Sequence, residues 1–101
     1  MNLGNTITRL REAKGLKQKT LAEQSTITQA YLSQIENNKK EPNLSTLRDI
    51  SGVLGIPVPL IFFLSMDDKD LPEAKKDAFN ILSPLMRNLI SDFFVDQKLV
   101  G

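Results

Sequence analysis

The chain has 101 residues, enough for one domain with a short appendage, and a chain of this size can bury a core without disulfides. It contains no cysteine and no histidine, which excludes disulfides and thiolate chemistry and removes the most common metal ligand and proton shuttle. Residues 1–40 carry seven basic and three acidic side chains, against five and seven in residues 67–101, an asymmetry that suggests a polyanion-facing end, although ordinary surface charge also accounts for it.

The first predicted helix carries an apolar stripe formed by Leu3, Ile7 and Leu10. Gly15 follows this stripe, and glycine commonly ends a helix because it adopts the left-handed conformation without strain. The sequence therefore predicts a helix that ends close to Gly15.

Residues 18–35 hold the most informative spacing in the chain. A second helix is predicted from about 17 to 24 and a third from about 28 to 37, with Ser25 and Thr26 forming the turn. Thr28 is the expected N-cap of the third helix. Five apolar or small side chains are expected between the two helices: Leu21, Ala22, Ile27, Leu32 and Ile35. This spacing predicts a helix-turn-helix, whose second helix enters the major groove of DNA.

Two further helices are predicted before the composition changes. Asn43 is the expected N-cap of the fourth helix. Its inward face is expected to hold four apolar side chains: Leu44, Leu47, Ile50 and Leu54. Gly52 lies inside this helix, at a cost of about 1 kcal/mol relative to alanine, and suggests a close approach of another helix. Pro57 and Pro59 favour the first turn of a fifth helix that continues through residues 60–64.

The chain becomes polar at residues 66–70, which predicts a linker. Pro72 is expected to start a further helix, and Ser83 and Pro84 to end it, cap the next one and turn the chain. The last helix carries a wide stripe of six apolar side chains: Leu85, Met86, Leu89, Ile90, Phe93 and Phe94. Because no strand-like alternation is present, the predicted fold is all-α.

Five short stretches carry a family signature. They are Leu16-Lys17-Gln18, Thr20-Leu21-Ala22, Tyr31-Leu32-Ser33-Gln34-Ile35-Glu36-Asn37, Glu41-Pro42 and Leu54-Gly55-Ile56. On these stretches, residues 3–65 resemble the phage-repressor (Cro-type, XRE) helix-turn-helix family. The resemblance implies a five-helix repressor-like DNA-binding domain over residues 1–66. The resemblance says nothing about residues 67–101, whose own composition predicts a short linker and a C-terminal segment of one or two helices for dimerisation or partner binding.

Two positions depart from the family pattern, because Thr26 and Asn38 stand where glycine is often found. Asparagine tolerates the left-handed conformation, so Asn38 is an acceptable replacement. Threonine with a positive φ is strained. Either Thr26 adopts a more ordinary conformation or the turn is adjusted around it.

The resemblance implies that residues at the start of the third helix contact base edges. The candidates are Thr28, Gln29, Ala30, Ser33 and Gln34. The Gln29 amide suits a bidentate contact to adenine, and the Ala30 methyl suits contact with a thymine methyl. The alternative, by residue type alone, is that Gln29 and Gln34 are ordinary polar residues on a solvated helix surface and contact no base.

Phosphate contacts are expected on both flanks of that helix. The candidates are Gln18, Lys17, Tyr31, Asn37, Lys39, Lys40 and Arg11. Gln18 resembles the phosphate-binding glutamine of the family, and such contacts position a protein on DNA without reading its sequence. Two alternatives stay open: Lys39 and Lys40 form a solvated loop, and Arg11 pairs internally with Glu36.

The apolar stripe from Leu85 to Phe94 is the predicted dimerisation surface. One helix-turn-helix reads only a few base pairs, so such proteins bind as dimers to two-fold sites about 34 Å apart. The alternative is that this helix folds back onto its own domain through Phe79 and Phe62.

The predicted function is therefore a sequence-specific regulator of transcription that binds double-stranded DNA, a dimeric repressor or autoregulator. The alternative is an antitoxin or partner-dependent module whose C-terminal helices bind another protein. No enzyme activity, cofactor or metal is expected, and Asp67, Asp68 and Asp70 match no calcium loop. No apolar run reaches the ~20 residues of a membrane span, and residues 2–6 lack signal-peptide character, so a cytoplasmic location is expected.

Overall fold

The computed structural model describes residues 1–95, which form helices and connecting loops without a strand. The six α-helices are α1 (Leu3–Ala13), α2 (Gln18–Gln24), α3 (Gln29–Glu36), α4 (Leu44–Leu54), α5 (Val58–Ser65) and α6 (Lys76–Phe94). Two short 3-10 turns, Asp68–Asp70 and Glu73–Lys75, connect α5 to α6. The predicted all-α fold is confirmed, whereas the domain division between residues 66 and 67 stays a prediction and residues 96–101 of its second part lie outside the described residues.

The core lies between the first five helices, with one contribution from α6. Leu21, Ala22, Leu32 and Ile35 are each at most 1% exposed, and Ile27 packs half-buried against them. Full burial of a leucine or isoleucine side chain contributes about 1.5–3 kcal/mol. The predicted helix-turn-helix packing is confirmed, and α2 and α3 are held together mainly by these contacts.

Local side-chain caps set the starts of three helices. The Asn2 Oδ1 atom accepts the Asn5 N–H, the Thr28 Oγ1 atom accepts the Tyr31 N–H, and the Asn43 Oδ1 atom accepts the Thr46 N–H. Such caps satisfy N–H groups that have no partner inside the helix, and each contributes about 1 kcal/mol. The N-caps predicted at Thr28 and Asn43 are confirmed.

The close helix approach occurs at Gly4, and the prediction for Gly52 is wrong. A Cβ atom built on Gly4 would lie 2.6 Å from the Glu36 carbonyl oxygen and 2.7 Å from Asn38 Oδ1, so the start of α1 rests directly on the end of α3. A Cβ atom on Gly52 would meet nothing within 4 Å. Gly52 lies on the solvent side of α4, where glycine has no packing role.

Leu44 is 53% exposed, so its predicted inward position is wrong. It is the first residue of α4, one turn before the buried Leu47, and at this end of the helix no element covers it fully. The other three residues of the predicted face, Leu47, Ile50 and Leu54, are buried as expected.

The predicted turn at Ser83 and Pro84 is also wrong, because α6 continues through both residues. Proline inside a helix removes one backbone hydrogen bond and costs about 3 kcal/mol. The helix nevertheless continues, and it has buried residues on both sides of Pro84: Ser83 before it, and Ile90 and Ser91 after it.

Several contacts attach α6 to the first five helices. Ile90 is 3% exposed and belongs to the core, and the Phe79 ring lies 6.1 Å from the Phe63 ring between centroids. The Arg87 Nη2 atom donates to the carbonyl oxygens of Leu64 at 3.2 Å and Met66 at 3.3 Å, at the end of α5. One side of α6 therefore does fold back onto its own domain, but through Phe63 and not through Phe62.

Within residues 1–95, no single helix is long and apolar enough to cross a membrane. Only α4 and α5 taken together pass that test of length and composition, and they meet at an angle of 96°.

Candidate nucleic-acid interface

The turn between α2 and α3 contains Thr26 in the left-handed conformation, with a φ of 60°. The alternative of a more ordinary conformation for Thr26 is therefore wrong, and the residue keeps the left-handed conformation at a cost of about 1–2 kcal/mol. The turn closes through backbone hydrogen bonds from Thr26 N to Glu23 O at 3.2 Å and from Ile27 N to Ala22 O at 3.0 Å. Because Leu21 and Leu32 are buried on either side, the core packing holds the turn in this geometry.

The other end of α3 is fixed by Asn38, which also adopts a positive φ, of 58°. Its Oδ1 atom accepts the Gly4 N–H at 2.9 Å, and its Nδ2 atom donates to Asn2 Oδ1 at 2.7 Å. The start of α1 thus holds the end of α3. Sequence reasoning missed this contact, although a glycine early in a helix is a signal for close approach.

The start of α3 is open to solvent. Thr28, Gln29 and Ala30 are exposed, whereas Ser33 and Gln34 are half-buried. The hydroxyl of Thr28 is already engaged as the N-cap of α3, accepting the Tyr31 N–H at 3.0 Å. Of the five candidate base-contacting residues, Gln29 and Ala30 therefore offer the most accessible side chains.

A chain of side-chain hydrogen bonds runs from α1 to the start of α3. Arg11 donates from Nε to Glu36 Oε2 at 2.8 Å and from Nη2 to Glu36 Oε1 at 3.0 Å. The same Glu36 oxygen, Oε1, accepts from Gln18 Nε2 at 3.1 Å, and Gln18 Oε1 accepts from Gln29 Nε2 at 3.4 Å. The orientation of the Gln29 amide is thus linked to a fixed ion pair.

Arg11 is a structural residue, which corrects its assignment to a phosphate contact. Its side chain is 13% exposed and that of Glu36 5% exposed, and its Nη1 atom donates to the Leu16 carbonyl oxygen at 2.9 Å. Because all three guanidinium nitrogens are engaged inside the protein, the internal ion pair considered as the alternative is the one formed.

The remaining phosphate candidates surround α3. Lys17, Lys39 and Lys40 are exposed, and none of them forms an ion pair within residues 1–95. Tyr31 is half-buried and packs against the core, and the Asn37 amide donates to the Ser33 carbonyl oxygen at 2.9 Å. The three lysines therefore provide the free positive charge, whereas Tyr31 and Asn37 already have structural contacts.

Five of the six side chains predicted for dimerisation are exposed along α6: Leu85, Met86, Leu89, Phe93 and Phe94. Phe93 is the most open, with 77% exposure. Ile90 is buried in the core of its own chain, so its assignment to this surface is corrected. Ile81 and Leu82 extend the exposed surface by a further turn, and they were missed because a break was predicted at Ser83.

The described residues contain no group of three or more histidine, cysteine, aspartate or glutamate residues that could hold a metal ion. The Asp67 and Asp70 carboxylates instead cap the first 3-10 turn. Asp67 Oδ1 accepts the Lys69 N–H at 2.8 Å, and Asp70 Oδ2 accepts the Asp67 N–H at 2.9 Å.

Residues 7–61 match the helix-turn-helix family. The chain is 39% identical over 61 residues to the immunity repressor protein of Bacillus phage phi105, covering 60% of this chain and 42% of that protein. It is 35% identical over 54 residues to y4dJ, an uncharacterized HTH-type transcriptional regulator of Sinorhizobium fredii, covering 54% of this chain and 70% of that protein. The chain thus spans less than half the length of the phi105 repressor.

The crystal structure of the clp gene regulator ClgR from Corynebacterium glutamicum has the same fold. It aligns with a TM-score of 0.62 and 24% identity over 95% of this chain and 93% of that one. The family match covers more than half of the chain and includes both helices of the motif. The chain therefore belongs to the helix-turn-helix family of the phage-repressor (XRE) type.

Proposed function

We propose that this chain binds double-stranded DNA and regulates transcription, reading a two-fold operator as a dimer. The observation that carries the proposal is the exposed start of α3, where Gln29 is tied through Gln18 to the buried carboxylate of Glu36. A pre-oriented amide loses less side-chain entropy on binding, which favours specific contacts. Family membership and the regulator names of the relatives support the same function.

Base reading is assigned mainly to Gln29 and Ala30. One N–H of the Gln29 amide is directed to Gln18, which leaves the other N–H and the amide oxygen available. Adenine presents a matching acceptor and donor, N7 and the N6 amino group, in the major groove. The Ala30 methyl suits a neighbouring thymine. Thr28, Ser33 and Gln34 are proposed to supply further contacts at the edges of this patch.

Phosphate binding is assigned to exposed residues on both sides of α3. Lys17 precedes α2, and Lys39 and Lys40 follow α3, so the lysines can reach DNA strands on either side of the groove. Gln18, Tyr31 and Asn37 are proposed to add neutral hydrogen bonds. These contacts supply affinity and orientation, whereas the start of α3 supplies sequence preference.

Dimerisation is assigned to the exposed apolar side chains of α6. Leu85, Met86, Leu89, Phe93 and Phe94 lie on one helix of 19 residues, and contiguous apolar surface of this kind marks interaction sites. A second copy of the chain would cover this surface, and the dimer would place two α3 helices on one operator. The same surface also suits a different protein, which makes a partner-dependent regulator or antitoxin the second candidate.

A DNA selection from a random library at physiological salt tests the proposal, with light scattering to measure the mass in solution. We expect a dimer and an enriched two-fold motif with half-sites about 34 Å apart. A monomer with only salt-sensitive, nonspecific DNA binding would contradict the proposal that a dimer binds a two-fold operator. That outcome would favour the candidate in which another protein covers α6.

A further inference from the structure

A polar cleft lies between the first half of α1, the end of α5 and the middle of α6. Its volume is about 270 Å³, and Asn5, Arg9 and Arg87 are among its lining residues. It is on the opposite side of α1 from α3, because Gly4 and Arg11 are the α1 residues that contact α3. The cleft is therefore separate from the proposed DNA-binding surface.

Arg87 carries a half-buried positive charge in this cleft. Its Nε atom donates to Ser83 Oγ at 3.2 Å, and its Nη2 atom donates to the carbonyl oxygens of Leu64 and Met66. Within residues 1–95, its Nη1 atom makes no hydrogen bond and no carboxylate forms an ion pair with it. Burial, and then the neighbouring charge of Arg9, lower the pKa of Arg87. The folded chain thus holds this cation at an unfavourable position.

Arg9 adds a second cation to the same cleft. It is exposed, and its guanidinium makes no hydrogen bond or ion pair in the described part of the chain. Asp67 also lines the cleft, but its carboxylate caps the first 3-10 turn and pairs with neither arginine. The C-terminal end of α5 carries a partial negative charge of about half a unit, which balances only part of the positive charge of the two arginines. Two arginines therefore converge without an adequate counter-charge.

We propose that this cleft is a binding site for a small oxyanion, such as a phosphate group, held between Arg9 and Arg87. Guanidinium groups present paired N–H donors that match oxyanions, and such charge-assisted hydrogen bonds are about twice as strong as neutral ones. The anion would relieve the repulsion between the two arginines, and the exposed Asn5 amide lies in the same cleft. The ligand would thereby join α1 to α6.

This bridge has a structural consequence, because Arg9 lies on α1 and Arg87 on α6. An anion between them would strengthen the attachment of α6 to the first five helices. If α6 is the dimerisation helix, as in the proposed function, the ligand would also affect DNA binding. The anion site itself is independent of that function, since its test measures neither DNA binding nor dimerisation.

Titration of the full chain with inorganic phosphate tests the proposal, with sodium chloride holding the ionic strength constant. We expect saturable NMR shifts at the amides of Asn5 and Arg9 and at the side chain of Arg87. Arg9→Gln should raise the phosphate dissociation constant about tenfold, because one of the two charge-assisted partners is lost. Arg48→Gln is the matched control, as Arg48 is exposed on α4 and outside the cleft, and its constant should equal that of the unsubstituted chain.

Two results would overturn the proposal. One is a set of shifts that grow linearly with phosphate and match those produced by chloride. The other is saturable binding that is equally strong in Arg9→Gln and in the unsubstituted chain. Circular dichroism of both variants establishes that they are folded, which is expected because both side chains are exposed and neither forms an ion pair in the described residues.

Discussion

Arg11 and Glu36 form an ion pair that connects α1 to the last turn of α3, with hydrogen bonds of 2.8 and 3.0 Å. Glu36 also accepts from Gln18, so one carboxylate supports both the packing of the domain and the orientation of a side chain at its surface. Stability and recognition are therefore linked through this pair.

Arg11→Ala is expected to lower the free energy of unfolding by about 3–5 kcal/mol, because it leaves the buried Glu36 carboxylate without its cation. Urea denaturation measures this loss. Arg48→Ala serves as the control, since Arg48 is exposed, and its effect should stay within about 0.5 kcal/mol. A loss below about 1 kcal/mol for Arg11→Ala would mean that the pair behaves like a surface ion pair.

Gln29→Ala and Lys39→Ala are expected to weaken DNA binding in different ways. Loss of the Gln29 amide should cost about 1–3 kcal/mol and relax the preference at one base position. Loss of Lys39 should weaken all sequences alike and reduce the salt slope by about one. Binding isotherms on a set of single-base operator variants at several salt concentrations measure both effects.

Uniform weakening by both substitutions would show that Gln29 does not read a base. In that case the proposed role of the start of α3 would be wrong. Lys19→Ala, at another exposed lysine, shows how much affinity a change of charge alone removes.

Two glycines in helices are expected to respond oppositely to alanine. Gly52→Ala should stabilise the chain by about 1 kcal/mol, because its Cβ atom meets nothing within 4 Å and alanine is the better helix former. Gly4→Ala should destabilise it, since the Cβ atom would lie 2.6 Å from the Glu36 carbonyl oxygen. Thermal unfolding of the two variants measures both changes. Equal effects of the same sign would contradict the close contact between α1 and α3.

Substitutions on the two faces of α6 should separate association from stability. Leu89→Lys, on the exposed face, is expected to shift a dimer towards monomer while leaving the fold intact. Ile90→Ala, on the core side, should lower the free energy of unfolding by about 2–5 kcal/mol. Light scattering and urea denaturation of both variants measure these effects. A Leu89→Lys chain that keeps the mass of a dimer would exclude this face as the interface.

Much of the fold was predictable because it depends on local patterns. The helix starts at Thr28 and Asn43 follow from caps that bond three residues ahead. The packing of α2 on α3 follows from the spacing of Leu21, Ala22, Leu32 and Ile35, since a helical face repeats every three or four residues. The same spacing identified the segment expected to meet DNA, and the family match includes it.

Tertiary packing decided the features that depend on residues far apart in the chain. Local signals at Ser83 and Pro84 indicated a break, yet α6 continues there while its two flanks pack against the domain. Arg11 had two plausible roles by residue type, and only its 2.8 Å approach to Glu36, 25 residues away, distinguishes them. The meeting of Arg9 with Arg87 likewise depends on how α6 docks. Periodicity determines which side of a helix is apolar, but only the folded arrangement determines what that side, or a single charge, contacts.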